Sequence, residues 1–324
     1  MTSRVKTLSV IICTHNPVRK AMERVLVGLE KQSLPREQWE LLLIDNASAQ
    51  KLSSQYDLHW HSRARHVVEE TLGLTAARLR GIRESAGELL VFVDDDNVLA
   101  PDYLEAAACV EEEWPRLGAW GGQIIPIYEV EPPAELRRWI DVAFGRTLAR
   151  EAWTNVGKTP ATTPWGAGMV VRRVVAECYA KLASSDEVRF SLDRTGESLV
   201  SCGDYDLAWT SHGLGLGTGL FPSLKLEHLI PRHRLTREYL LKLTEGISCS
   251  SQLLRLFWGL PLVEVSRSER LYQLYRDFRL PPLEKAFINA RLRGEQKGRE
   301  LASDLKNRQL RSTKRPSDPG IEIP

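Results

Sequence analysis

Three consecutive aspartates, Asp94, Asp95 and Asp96, directly follow an apolar run that is typical of a buried strand. Adjacent carboxylates repel one another, so this cluster is costly unless a cation compensates for its charge. Oxygen ligands at a strand end suit a hard divalent ion such as Mg²⁺ or Mn²⁺, which would also hold substrate phosphates. The alternative is a solvated acidic turn in which the Asn97 amide caps the next helix. The position of the cluster at a strand end favours metal binding.

A second acidic pair, Asp204 and Asp206, stands near a predicted helix start that includes Gly203. Residues two apart do not share one face of a helix, so the two carboxylates are expected to have different roles. Asp204 could act as a general base that takes a proton from an acceptor hydroxyl. The simpler alternative is negative charge at a helix N-terminus, which is favoured for Asp206 and is an equal explanation for Asp204.

A basic segment follows the end of another predicted strand and contains His228, Arg232 and Arg234. His228 could ligate a metal as a neutral imidazole, and either arginine could bind a diphosphate. A lone histidine is more often structural, so the metal role depends on the neighbouring elements.

Further candidates are a carboxylate, a cation and an aromatic ring. Asp45, next to Asn46, could accept a hydrogen bond from a nucleobase or a ribose, although a turn-forming aspartate is the commoner case. Arg78 could reach a base carbonyl or a phosphate, although an exposed helical arginine is commoner. Trp165, beside Gly166, could stack on an acceptor sugar, whereas most tryptophans serve packing.

The elements that would position these residues alternate along the first half of the chain. Residues 8–13, 40–44 and 88–93 are predicted strands, and helices are predicted after Pro17 and after Gly73. This alternation predicts a parallel α/β sheet, which binds ligands at the carboxyl ends of its strands. Residues 14–16, 45–46 and 94–97 all lie at such ends.

The second half is less regular. The pattern predicts strands at 165–171, 216–221 and 224–228 and a helix from Cys202. Leu271, Leu274, Tyr275 and Phe278 form a helical stripe, for which packing within the chain is favoured over a partner helix. The expected domains are a first domain at 1–245 (halves at about 1–125 and 126–245), a helical extension at 246–295, and a polar, flexible tail at 296–324.

Composition gives no reason to expect nucleic acid as a partner, because the net charge is only +2. Five scattered cysteines are typical of reduced thiols in a cytoplasmic protein. The N-terminus has no signal-peptide pattern, and the apolar run 253–263 is shorter than the roughly 20 residues of a membrane span. We therefore expect a cytoplasmic protein, with peripheral contact at the inner membrane face as the alternative use of that run.

The ordered set of motifs resembles the family 2 glycosyltransferases of GT-A fold, over about residues 8 to 245. Single stretches are weak signals, but nine of them in this order are specific. The matching stretches are SVIICTHN (9–16), QSLP (32–35), WELLLIDNAS (39–48), GLTAAR (73–78), GELLVFVDDDN (87–97), PDYL (101–104), WGAGMVVR (165–172), DYDL (204–207) and HLIP with RLT (228–236).

This resemblance implies a Rossmann-like, mostly parallel central sheet flanked by helices, with a helical C-terminal extension. It also implies that Asp94 and Asp96 form a DxD motif, with Asp94 near the ribose and Asp96 on Mn²⁺ or Mg²⁺, and His228 is the second expected metal ligand. The residues expected at the nucleotide sugar are Thr14, His15, Asn16, Asp45, Asn46, Gly73, Arg78, Asp94 and Asp95.

On the acceptor side the resemblance makes Asp204 the base of an inverting displacement. The family places a glutamate before this aspartate, whereas this chain has Gly203, and Asp206 is one candidate to replace it. Leu79 likewise replaces an asparagine that often follows the motif arginine. The residues expected near the acceptor are Trp165, Gly166, Asp206 and Arg234.

The expected function is therefore transfer of a sugar, with inversion, from a nucleotide diphosphate (UDP, GDP or dTDP) to a glycan or lipid-linked hydroxyl. The family suggests cell-surface polysaccharide or glycolipid synthesis. A nucleotide-sugar-binding protein without turnover is one alternative. A sugar nucleotidyltransferase is disfavoured, because residues 13–17 lack a glycine-rich, basic loop. The sequence leaves the oligomeric state open.

Overall fold

The structure, a computed structural model, describes residues 7–194, 201–263, 275 and 279–312, with side chains up to residue 305. Its first half contains four parallel strands in the order β3-β2-β1-β4, which confirms the predicted parallel arrangement. The elements are β1 (Leu8–Thr14), α1 (Arg19–Glu30), β2 (Trp39–Asn46), β3 (Ala64–Glu69), α2 (Leu74–Glu84) and β4 (Leu89–Val93).

Strand β1 shows why these runs become central strands. Successive side chains of a strand point to opposite faces of the sheet. Val10 and Ile12 accordingly lie in one buried cluster and Ile11 in another, and all three are fully buried. A strand that is covered on both faces needs a nearly continuous apolar run, and β1 has one, interrupted by Ser9, whose buried hydroxyl donates to Glu40 Oε1 at 2.6 Å.

The second half of the sheet is mixed. It continues from β4 in the order β8-β6-β9-β5, with β7 also paired to β9, and nine strands are described in total. The expected α/β sheet with flanking helices is confirmed, and its parallel pairs are concentrated in the first half. The further elements are β5 (Asn97–Leu99), α3 (Tyr103–Glu113), β6 (Leu117–Tyr128), α4 (Arg137–Phe144), β7 (Ala152–Thr154), β8 (Val170–Arg172), α5 (Arg173–Ser184), α6 (Glu187–Phe190), α7 (Gly203–Gly213) and β9 (Gly217–Ile230).

Several elements differ from the sequence pattern. Strand β9 is one strand where two are predicted, and a register shift opposite Gly122 and Gln123 accounts for the interruption. Strand β8 is shorter than predicted, because the residues before Val170 form a loop. Asn97 begins β5 and so does not cap a helix.

The chain divides into two compact units, Met1–Leu240 and Leu241–Pro324. Helix α8 spans Arg237–Phe257 and α9 spans Pro282–Ser312. Within the second unit, Arg293 pairs with Glu245 at 2.9 Å. Helix α9 continues past residue 295, where the pattern suggests that a polar tail begins.

The predicted apolar stripe falls mostly outside the described residues, which include Tyr275 but not Leu271, Leu274 or Phe278. The Tyr275 side chain is exposed. No helix among the described residues is both long and apolar enough to cross a membrane.

Candidate active site

The acidic cluster forms the turn between β4 and β5. The Asp94 backbone N–H donates to Asn97 Oδ1 at 3.4 Å, and Asn97 Nδ2 donates to Asp96 Oδ1 at 3.0 Å. Asn97 is fully buried, while Asp94, Asp95 and Asp96 remain partly accessible. The amide therefore shapes a turn that presents three carboxylates at the edge of the sheet.

Strand pairing brings the basic segment to this turn. Asn97 of β5 lies opposite His228 of β9, and the Leu229 N–H donates to the Asp96 carbonyl oxygen at 2.8 Å. His228 Nε2 consequently lies 3.6 Å from Asp96 Oδ2, and Arg234 Nη1 lies 2.8 Å from the same oxygen. The two predicted metal ligands, Asp96 and His228, therefore lie together, and Arg234, which is expected near the acceptor, lies beside them on Asp96.

The His228 ring is oriented by its other nitrogen. Nδ1 lies 3.2 Å from the Phe144 carbonyl oxygen, which can only accept a hydrogen bond, so we assign the proton to Nδ1. Nε2 faces Asp96: a ring that also carries a proton on Nε2 attracts that carboxylate, whereas in the neutral ring the Nε2 lone pair would be available to a metal. A histidine that ligates a metal commonly donates its second ring N–H to a carbonyl in this way.

These groups fit a divalent cation. A carboxylate oxygen and a neutral imidazole nitrogen are suitable ligands for Mn²⁺, and Asp96 Oδ2 and His228 Nε2 lie 3.6 Å apart. Among the described residues no group of three or more His, Cys, Asp or Glu side chains is arranged to hold a metal. Substrate phosphates and water would have to complete the coordination, as is usual for Mg²⁺ sites. Arg234 would share the Asp96 oxygen with the ion or move from it.

Crowding of the carboxylates perturbs their titration. Burial and the charge of Asp96 raise the pKa of Asp95 to about 7, although the Thr14 hydroxyl donates to it. The pKa of Asp94 is raised by the same two causes. Burial acts in that direction on Asp96 too, but His228 and Arg234 outweigh it and hold the Asp96 pKa below its ordinary value.

The loop after β1 is tied to the loop after β2. His15 Nδ1 lies 2.8 Å from the Asn46 carbonyl oxygen, and Asn16 Oδ1 accepts the Ala49 N–H at 2.8 Å. Asn16 adopts a φ of 49°, a left-handed conformation that asparagine tolerates better than most residues. His15 and Asn16 therefore lie together at the predicted strand end.

Asp45 builds its own loop. It is 4% exposed, and its two carboxylate oxygens accept the backbone N–H groups of Ser48 and Leu52, each at 3.0 Å. This is the turn-forming role, and a contact with the nucleoside stays a prediction. Asn46 binds the loop that precedes α2, because its Oδ1 accepts the Gly73 N–H at 2.8 Å.

Asp204 lies in the first turn of α7 and is partly accessible. Its Oδ2 accepts the Gly166 N–H at 3.0 Å, and its Oδ1 accepts the Tyr205 N–H at 2.8 Å. Burial raises the pKa of Asp204 above the usual value for an aspartate, which makes the carboxylate a stronger base.

Arg78 links Asp204 to the acidic turn. It is buried and donates through Nη1 to Asp193 Oδ2 at 2.7 Å. A Cβ at Gly166 would lie 2.6 Å from Arg78 Nη2, so any larger residue there would have to displace the buried guanidinium. Burial opposes its charge, but the carboxylates of Asp193, Asp204 and Asp94 raise the Arg78 pKa above its ordinary value. Arg78 therefore lies within electrostatic reach of Asp94 and Asp204.

Two predicted acceptor-side residues make close contacts within the chain. Asp206 is 1% exposed, with its Oδ2 3.2 Å from Arg189 Nε, so it faces the interior. Trp165 is half-buried, and the Arg146 guanidinium covers one face of its ring at 4.2 Å from the centroid. Only the other face of Trp165 could receive a sugar.

Asp193 is the site residue that the sequence motifs do not indicate. It belongs to no recognisable pattern, yet it is buried against Arg78. The one sequence signal that points to it is indirect: the residue before Asp204 is Gly203, which leaves space for a carboxylate from another segment.

Comparison with known proteins bears on both the fold and the family. TarS 1–349 of S. aureus has a TM-score of 0.50 at 14% identity, with 93% of this chain and 91% of that chain covered. GalNAc-T7, solved with UDP, GalNAc and Mn²⁺, has a TM-score of 0.51 at 15% identity, with 85% of this chain and 55% of that chain covered. At such identities the likeness establishes the GT-A-like fold.

The glycosyltransferase AglE of Haloferax volcanii is 30% identical over 99 residues, which cover 30% of this chain and 32% of AglE. The match thus spans about a third of that relative. The family model described as glycosyl transferase family 2 matches residues 9–179, which is more than half of the 324-residue chain. Together with the fold, this match shows that the chain belongs to glycosyl transferase family 2.

Proposed function

We propose that this chain transfers a sugar from a nucleotide diphosphate to an acceptor hydroxyl with inversion at the anomeric carbon. The observation that carries the proposal is the carboxylate of Asp204. This carboxylate is partly accessible and accepts a hydrogen bond from the Gly166 N–H. It also interacts electrostatically with the Arg78 guanidinium, which interacts in the same way with Asp94. A base and an acidic, cation-binding turn in one area are what such a displacement requires.

In the proposed reaction Asp204 removes the proton from the acceptor hydroxyl. The acceptor oxygen forms a bond to the anomeric carbon, and the bond between that carbon and the diphosphate oxygen breaks. The electron pair of the broken bond leaves with the nucleoside diphosphate. One displacement from the opposite face inverts the anomeric centre.

On the donor side, Asp96 and His228 would hold Mn²⁺ or Mg²⁺. Such an ion neutralises charge that develops on the departing diphosphate. Arg234 lies 2.8 Å from Asp96 and adds a guanidinium to the same area, where it can bind a phosphate oxygen. The structural neighbour GalNAc-T7 was solved with UDP and Mn²⁺, which supports testing UDP-sugars first.

For the acceptor we propose a glycan or a lipid-linked glycan, with a role in cell-surface polysaccharide or glycolipid synthesis at the inner membrane face. This part rests on the family resemblance. The ring face of Trp165 that Arg146 does not cover is the surface on which an acceptor sugar would stack, and the Trp165 Nε1 donates to the Tyr205 hydroxyl at 3.3 Å.

The first experiment is a thermal-shift panel of UDP-, GDP- and dTDP-sugars with and without Mn²⁺, followed by an assay for release of the nucleoside diphosphate. We expect one donor class to raise the melting temperature and to turn over with acceptor. Asp204→Asn should keep donor binding and lose turnover by about 10²-fold or more. Asp57→Asn, a matched change at an exposed position, should behave as the unaltered chain.

Donor binding without turnover in the unaltered chain, across an acceptor panel, would indicate a nucleotide-sugar-binding protein. Formation of a nucleotide sugar from a nucleoside triphosphate and a sugar phosphate would indicate a nucleotidyltransferase. Full turnover in a folded Asp204→Asn variant would remove Asp204 from the chemistry.

A further inference from the structure

The carboxylate of Asp193 fills the space in front of Gly203. A Cβ built on Gly203 would lie 2.2 Å from Asp193 Oδ2, 2.4 Å from its Cγ and 2.6 Å from its Oδ1. All three distances are shorter than any tolerated contact, so a side chain at position 203 and Asp193 in this place exclude each other. Asp193 is 4% exposed, which rules out an easy displacement into solvent.

Backbone hydrogen bonds on both sides hold Asp193 in this position. The Cys202 N–H donates to the Leu192 carbonyl oxygen at 3.1 Å, just before α7 begins. The Leu74 N–H donates to the Arg194 carbonyl oxygen at 3.1 Å, at the start of α2. The residues that flank Asp193 are thus attached to the two helices that carry Asp204 and Arg78.

A series of contacts through a buried cation connects Asp193 to Asp204. Asp193 Oδ2 accepts Arg78 Nη1 at 2.7 Å and the Thr75 hydroxyl at 3.2 Å. The other guanidinium nitrogen, Nη2, packs on Gly166, whose N–H donates to Asp204 Oδ2 at 3.0 Å. The order of contacts is Asp193, Arg78, Gly166 and Asp204.

We propose that Asp193 is a positioning residue for the base Asp204. Its carboxylate fixes the Arg78 guanidinium, and thereby the Gly166 loop, from the place that a carboxylate carried by residue 203 would otherwise occupy. The inference rests on the proposed function, because Asp204 needs a fixed orientation only if it removes a proton from the acceptor.

A carboxyl group can reach the same place from residue 193 or from residue 203. Two carbon–carbon bonds span about 2.5 Å, the distance from Cβ to the carboxyl carbon of a glutamate. The Asp193 carboxyl carbon lies 2.4 Å from the Cβ position of Gly203. A glutamate side chain at position 203 therefore has the reach to place its carboxyl group where the Asp193 carboxyl now lies.

The charges around Asp204 make its titration sensitive to Asp193. The groups that face it are the cations Arg78 and Arg146, the carboxylate of Asp193, and the hydroxyl of Tyr205. Without the Asp193 charge, Arg78 is left to stabilise the ionised form of Asp204. The Asp204 pKa would then fall, and the carboxylate would become a weaker base.

The test is a swap of the carboxylate between the two positions, made in the full chain. Asp193→Ala leaves the buried Arg78 without its partner, and we expect it to lower the melting temperature by roughly 6–20 °C. We expect kcat to fall about 10- to 100-fold because the base is misplaced. Gly203→Glu alone should also be destabilised, since two carboxylates then compete for one space. The double variant Asp193→Ala/Gly203→Glu should recover most of both losses.

Two further variants separate positioning from stability. Glu111→Ala breaks another buried ion pair, the one between Glu111 and Arg172. The Glu111 side chain is 4% exposed, which is close to the 5% of the Asp193 side chain. It should lose stability to a similar degree and retain kcat below its melting temperature, and Gly203→Glu should not rescue it. Asp193→Asn keeps the volume and removes the charge. When the pH is lowered, the kcat/KM of this variant should begin to fall at a lower pH than that of the unaltered chain. The KM for the donor should be unchanged.

A double variant no better than either single variant, or an Asp193→Asn variant with unaltered kcat and pH profile, would overturn the role of Asp193. Failure of the proposed function looks different. In that case no donor and acceptor pair gives turnover with the unaltered chain, whatever the swap does to the melting temperatures.

Discussion

Replacement of Gly166 by alanine tests the packing on which the site depends. The added Cβ would lie 2.6 Å from Arg78 Nη2 and 3.5 Å from Asp204 Cβ. Arg78 cannot move away cheaply, because its side chain is 4% exposed and is paired with Asp193. Overpacking of this kind costs about 1–3 kcal/mol. For a domain of this size that corresponds to a loss of roughly 2–12 °C in melting temperature.

The same change should reduce turnover by displacing the Gly166 N–H from Asp204. A hydrogen bond to a charged group contributes about 1.5–3 kcal/mol, so we expect kcat to fall by roughly 10- to 150-fold. Thermal unfolding and steady-state release of nucleoside diphosphate measure the two effects. Gly157→Ala is the matched control, because a Cβ at Gly157 meets nothing within 4 Å. A Gly166→Ala variant with the melting temperature and kcat of the unaltered chain would refute this reasoning.

Three further predictions concern the metal, the core and the pH dependence. Arg234→Met removes the guanidinium that occupies Asp96 Oδ2 and competes with a metal for it. A titration with Mn²⁺, followed by electron paramagnetic resonance, should therefore show binding at least roughly tenfold tighter than in the unaltered chain. Unchanged or weaker Mn²⁺ binding would contradict this. Tyr103→Phe removes a buried hydrogen bond of 2.6 Å to the Gly168 carbonyl and should cost about 1–3 kcal/mol of unfolding free energy, measured in urea. Burial raises the pKa of Asp204, and the base must be ionised to act. As the pH is lowered, kcat/KM should therefore begin to fall while the pH is still above about 3.9, the ordinary pKa of an aspartate. A kcat/KM that falls only at or below that pH is inconsistent with Asp204 as the base.

The sequence predicts the first half of the fold well because its strands are buried on both faces. Strand β1 has seven residues, six of them buried, and its apolar run is broken only by Ser9 before it ends at Thr14. Strand β6 is the opposite case. Gly118, Gly121, Gly122 and Pro126 interrupt its apolar pattern, and its residues beyond Ile124 are partly exposed. A strand of this kind is held by its neighbours β8 and β9, which no local pattern reveals.

Some residues of the candidate site can likewise be predicted from the sequence, and others cannot. Asp96 belongs to the cluster that follows a predicted strand, and Asp204 stands at the start of a predicted helix, so the sequence indicates both. The approach of His228 and Arg234 to Asp96 depends on the register of β5 against β9, which only the structure gives. Asp193 depends on a contact across the fold with Gly203, and the sequence offers only the missing side chain as a signal.

The most direct measurement of the central claim is a crystal structure with a bound UDP-sugar and Mn²⁺, with the ion located by anomalous scattering. We predict an ion in contact with Asp96 and His228, a diphosphate beside Arg234, and an anomeric carbon within reach of an acceptor hydroxyl that contacts Asp204. A nucleotide bound with its sugar out of reach of Asp204, or an ion held by other residues, would contradict the account.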